Sequence, residues 1–204
     1  MYVAGRKEYL GRLDADWYVV DIGFSNSAKS CGLVINKETP SVMTFGDLSS
    51  FLRLTLASRR EVNLVIEAPL SVSFDYKGNP IGRGFERRIG HNPRYWYLGL
   101  GCCVLTAANY LLSGLSSLDC TIRLFEGFVS FKGKGTASSH MRDVAVLRDA
   151  VIFGSQCRVY SPDEMRMNDT DRLVSSLSLL GIDCDVPVVV ECGSYELGGA
   201  GLLE

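Results

Sequence analysis

The sequence predicts an α/β protein: a mixed, five-stranded sheet flanked by helices, its first three strands a meander, followed by a C-terminal α/β extension. Three observations point there. Short apolar, β-branched runs such as WYVVDIG, NLVIEAP and TIRLFEGF have the length and composition of buried strands. The later runs alternate with segments of helical spacing, as in a sheet with crossover helices. Each of the three also carries a carboxylate at or near its C-terminal end, namely Asp21, Glu67 and Glu126.

Taken in order, residues 16–24 read as the first strand and 30–37 as the second, with the polar FSNSAK turn between them. Residues 41–46 form a short third strand. Asp47 offers an N-cap to DLSSFLRLTLASRR, whose leucine and phenylalanine spacing fits an amphipathic helix ending near Arg60. EVNLVIEAP is a strand stopped by Pro69, and the Gly/Pro-rich stretch after it reads as a long loop with one helical turn. Pro93 opens a long helix, CTIRLFEGF is the fifth strand, and Ser138 or Ser139 caps HMRDVAVLRDAVIFG, which Gly154 closes.

Residues 1–154 thus make the core, and 155–204 an extension packed on the same domain. In the extension SQCRVYSP reads as a short strand, DEMRMNDTDRLVSSLSLLG as a helix and DVPVVVE as a strand. The Gly-rich tail SYELGGAGLLE reads as a mobile or interaction segment. The apolar C-terminal portion could supply a homodimer interface.

Composition narrows the function. With 204 residues, 47% hydrophobic and 22% charged, the chain has the make-up of an ordinary globular protein. A formal charge of −2 gives no global attraction to nucleic acid, so such a partner needs local basic clusters or metal ions. Seven cysteines without a CxxC read as reduced thiols in a cytoplasmic protein rather than as zinc ligands or disulfides. No signal-peptide core is visible at the N-terminus. The uncharged stretch from Tyr95 to Leu118 reaches the length of a membrane span, but Thr106, Asn109, serines and glycines dilute it; a buried helix is expected, and no membrane partner.

The carboxylates carry the chemistry. A charge buried at a strand end is costly unless compensated, and a divalent cation is the usual compensation where acids converge. The predicted last helix adds His140, Asp143 and Asp149. The two aspartates lie six positions apart and point to different faces, so both cannot serve one site as direct ligands. Asp143 near the helix start is equally well read as a solvated first-turn acid. His140 could assist proton transfer or sit as a polar surface residue. Arg83, Arg87, Arg88 and Arg94, interleaved with aromatics, and Lys132 with Lys134 are candidates for binding a phosphate backbone; for Arg83 an internal salt bridge with Glu86 is the competing reading. GFVSFKGKGT lacks the glycine and the Ser or Thr of a phosphate-binding loop, and YKGNPIGRGF has no GxGxxG.

The β-β-β-α-β-α-β-α order, with acids in strand one, after strand four and on the last helix, resembles the ribonuclease H fold. IEAPLS followed by GRGFERR resembles an uncharacterised family of predicted nucleases of that fold, and RuvC-type resolvases are similar more distantly. The resemblance covers residues 16–154. It implies a ribonuclease H-like nuclease, with Asp21 bridging two Mg²⁺ or Mn²⁺ ions, Glu67 holding one, Asp149 the other and Glu126 completing the set; Asp143 could replace Asp149. Two such ions suit in-line phosphodiester hydrolysis, and hard cations prefer carboxylate oxygens. Two other functions compete: an ATP-binding phosphotransferase of the actin and sugar-kinase type, because DIGFSNSAK has the look of a phosphate-contacting hairpin, and a non-catalytic module binding nucleic acid or protein.

Overall fold

The computed structural model describes residues 1–23, 30–86, 96–97, 99–129 and 139–193. In chain order its elements are β1 (Tyr2–Ala4), β2 (Asp16–Ile22), β3 (Cys31–Ile35), β4 (Ser41–Met43), α1 (Phe45–Leu56), β5 (Glu61–Glu67), β6 (Ser71–Phe74), β7 (Pro80–Ile81), α2 (Leu100–Leu115), β8 (Thr121–Val129), α3 (His140–Phe153), β9 (Cys157–Tyr160), α4 (Pro162–Met165), β10 (Arg172–Ser175) and β11 (Val189–Cys192).

Eight strands form the main sheet, in the order β4-β3-β2-β5-β8-β11-β9, with β1 also paired to β8. β2, β3 and β4 are the antiparallel meander. From β2 outward the pairs β2–β5, β5–β8 and β8–β11 are parallel, so the C-terminal ends of four strands share one edge. That edge carries Asp21 and Glu67, which are register partners. The expected α/β class and mixed sheet hold, but the sheet is wider than five strands. β1 and β11 share one side of β8, β1 along residues 122–124 and β11 along 126–129. β1 is not read as a strand in the sequence; β11 falls on the DVPVVVE run that is, but the place of each beside β8 depends on β8 offering a free edge.

Two apolar layers enclose the sheet. On one face Val20, Leu64, Ile66, Ile122 and Leu124 pack with Leu48, Leu52 and Leu56 of α1 and Ala108, Leu111, Leu112 and Leu115 of α2. On the other, Trp17, Val19, Val65, Phe125 and Val190 pack with Val144, Leu147, Ala150 and Val151 of α3. Residues alternate between faces along each strand, so burial on both sides accounts for the unbroken apolar runs.

Local chemistry sets the helix ends. Ser139 caps α3 by accepting from the Arg142 N–H, and Gly154 closes it at φ +66°, as the sequence predicts. At α1 the cap is Thr44 rather than Asp47: Thr44 Oγ1 accepts from the Asp47 N–H at 3.0 Å and donates to the Asp47 carboxylate at 2.8 Å. The helix read from Pro93 is described from Leu100, so its expected start falls outside the described residues. Among the described residues no helix is long and apolar enough to cross a membrane.

Two expectations give way. The stretch read as a loop after Pro69 contains the β6–β7 hairpin, whose turn is made by Asp75 Oδ1 accepting from the N–H groups of Lys77 and Asn79, each at 2.8 Å. The helix expected over DEMRMNDTDRLVSSLSLLG stops after one turn. Asp171 Oδ2 accepts from the backbone N–H of Met167 at 3.2 Å and of Asn168 at 2.9 Å, and the chain then enters β10, which pairs antiparallel with β6. Side-chain capture of backbone donors competes with a helix here, and strand pairing completes the change.

Candidate metal centre

Alternation along β2 sends Trp17, Val19 and Asp21 toward α3 and Tyr18, Val20 and Ile22 toward α1 and α2. Asp21 is therefore a carboxylate beneath the start of α3, and only 4% exposed. The helix comes close because glycine faces it. A Cβ on Gly32, the cross-strand partner of Asp21, would collide with the His140 carbonyl, and one on Gly23 would collide with the His140 ring. Val144 Cγ1 would lie 2.9 Å from the same added Cβ on Gly32. Sequence reasoning did not single out these glycines; the Cys-Gly-Leu run within an apolar strand was the available sign of a close approach.

This approach brings His140 Nδ1 to 2.6 Å from Asp21 Oδ2. One turn along, Asp143 is 4% exposed and faces the same point. Asp21, His140 and Asp143 each offer a ligand atom, and these atoms lie within 4.8 Å of one another. No other group of three or more His, Cys, Asp or Glu side chains among the described residues gathers its ligand atoms so closely. Two carboxylates and an imidazole are hard oxygen and borderline nitrogen donors, a set that suits a divalent cation.

The remaining candidates divide by geometry. Glu67 is half-buried on the strand beside Asp21 and shares a sheet face with Val65, toward α3, but it stands outside the three-residue group. Asp149 is held by its neighbour, with Arg148 Nη2 at 2.8 Å and Nε at 2.9 Å from Oδ1. Of the two aspartates on α3, Asp143 is thus the one brought to Asp21.

Glu126 is on the opposite face. Its register partner is Ile66, and both follow the parity of Leu64 and Leu124, away from α3. There Arg83 Nη1 donates to Glu126 at 2.7 Å and the Leu70 N–H donates to Oε2, also at 2.7 Å. Arg83 also donates to Glu86 Oε1 from Nη2 at 2.9 Å and to Ser71 Oγ at 2.9 Å. Burial by itself pulls the Arg83 pKa down, but Glu126 and Glu86 outweigh it and hold the guanidinium above its ordinary value. Burial likewise pushes the Glu126 carboxyl up, against Arg83 and the Leu70 N–H, and donors converging on both oxygens are the partners of an ionised carboxylate. Arg83 is 2% exposed, so its charge is used inside the protein, in the salt bridge with Glu86 and a second with Glu126. Arg87, Arg88, Arg94, Lys132 and Lys134 lie outside the described residues.

Neither a protein-family model, a curated protein nor a solved structure matches the chain.

Proposed function

We propose that the chain is a metal-dependent nuclease with a ribonuclease H-like core, hydrolysing phosphodiester bonds at the edge that carries Asp21. The observation that carries this reading is the meeting of Asp21, His140 and Asp143, from the first core strand and the last core helix, within 4.8 Å. The order from β2 to α3, three strands of a meander and then alternating helices and strands with one hairpin inserted, is in keeping with that fold.

Asp21 and Asp143 would hold a divalent ion, Mg²⁺ or Mn²⁺, with Glu67 on the neighbouring strand as the acid for a second. Bound there, the ions would make a water nucleophilic and stabilise the leaving oxyanion. The chain's own residues supply the rest. Asp21 meets His140 Nδ1 through Oδ2 at 2.6 Å, which orients the ring. The oriented imidazole can take or return a proton at Nε2. Glu126 acts as a positioning residue: it holds the Leu70 N–H, three residues beyond Glu67, and so anchors the end of that strand.

Incubation with single- and double-stranded DNA and RNA, in Mg²⁺ and in Mn²⁺, tests the reading beside Asp21→Asn and Asp143→Asn controls. Cleavage by the wild type that both substitutions abolish supports it. Equal cleavage by the variants, or none by any protein across the substrate panel, overturns it.

A further inference from the structure

On the side of the sheet that α3 covers, β11 and the edge strand β9 run antiparallel with Val190 opposite Val159 and Cys192 opposite Cys157. Directly opposed residues of antiparallel strands point to the same face, with Cα atoms about 4.5–5.5 Å apart. A disulfide spans Cα separations of about 4.4–6.8 Å, so either kind of cross-strand pair falls within its reach. Both cysteines are free thiols, and both pack in the apolar cluster under α3, Cys192 fully buried and Cys157 half-buried.

We infer that Cys157 and Cys192 form a reversible disulfide that locks the edge of the sheet. This goes beyond the proposed nuclease activity and does not rest on it. Among the described strands β9 pairs with β11 alone, so a covalent bond between these two strands fixes the edge. The bond closes a loop of about 35 residues containing α4 and β10, hence most of the described C-terminal extension. It also sets these two cysteines apart from the expectation, read from the sequence, of reduced thiols rather than disulfides.

Chemistry dictates the order of events. Burial pushes the Cys192 thiol up to about 12 and raises Cys157 as well, so neither is chiefly thiolate at neutral pH. Cys157, the more accessible, attacks glutathione disulfide as the thiolate, forming a mixed disulfide and expelling one glutathione thiolate. Cys192 then gives up its proton and attacks the Cys157 sulfur, expelling the second. Two protein thiols lose two electrons and two protons, and one glutathione disulfide becomes two glutathione molecules.

The test uses the reduced full-length chain, exposed to glutathione disulfide, quenched with N-ethylmaleimide and digested without reduction for mass spectrometry. A Cys157–Cys192 linked peptide is expected, forming about tenfold faster per pH unit between pH 7 and 8. The melting temperature should rise by roughly 5–10 °C and return with dithiothreitol. Cys157→Ser, a substitution at the half-buried member, should show neither change on oxidation. Glutathione on the exposed Cys102 or Cys103 without the linked peptide, or an equal melting shift in Cys157→Ser, overturns the inference.

Discussion

His140 Nδ1 stands 2.6 Å from Asp21 Oδ2 although 119 positions separate them in the chain. The contact joins the end of the first core strand to the start of the last core helix, and Asp143 completes the group from the next turn. If this group holds the ion, Asp21→Asn and Asp143→Asn should each weaken Mn²⁺ binding at least 100-fold, and His140→Ala about 10–100-fold. Asp149→Asn should stay within about threefold of wild type, since Arg148 already engages that carboxylate. Calorimetric titration with Mn²⁺ measures these constants, and a loss at Asp149 equal to that at Asp143 would contradict the assignment.

The seat of α3 on β3 depends on Gly32. Ala at this position forces the new methyl against the His140 carbonyl, which is backbone and cannot swing aside. Gly32→Ala should therefore cost about 1–3 kcal/mol in urea unfolding and also weaken Mn²⁺ binding, because the helix start must move off Asp21. Gly114, with open space around it, is the control: Ala there should leave metal binding as in wild type.

Arg83 ties the region after β5 to the sheet. Arg83→Leu leaves Glu126 and Glu86 buried without their cation and should cost about 3–5 kcal/mol. Glu126→Gln keeps one acceptor oxygen for Arg83 or for the Leu70 N–H and should cost less. Denaturant midpoints of the two variants decide the order; a milder loss in Arg83→Leu would show that the cation is not what holds this region.

Alkaline pH should weaken the fold through its buried acids. Burial raises Cys184 from 9.0 to about 11 and Cys192 to about 12, and it raises Tyr2 too. Well below pH 9 these groups keep their protons in both states and contribute no pH dependence. Between pH 9 and about 12 the unfolded chain sheds protons that the folded chain retains, so stability falls as pH rises. Urea midpoints at pH 8 and 10.5 should differ in that sense, with Cys192→Ala flattening the fall. A midpoint constant over this range is the contrary outcome.

The strand runs ending at Asp21 and Glu67, the Ser139 cap and the Gly154 stop were legible in the sequence because each rests on neighbours along the chain. Asp21, His140 and Asp143 were each among the candidates the sequence offered. Their grouping was not legible. In TIRLFEGFV every described side chain from Ile122 onward is buried, so no alternation of polar and apolar residues revealed that Glu126 faces away from α3. The choice between Asp143 and Asp149 needed the rotation of α3, which is set by contact with Gly32 across the sheet. For Arg83 the internal salt bridge with Glu86, one of its two readings, was legible, whereas the carboxylate of Glu126, 43 residues away, was placed beside it only by folding. β10 gained a strand's geometry only from β6. Contacts near in sequence leave a local signature, whereas those closed by packing distant segments are decided when the faces meet.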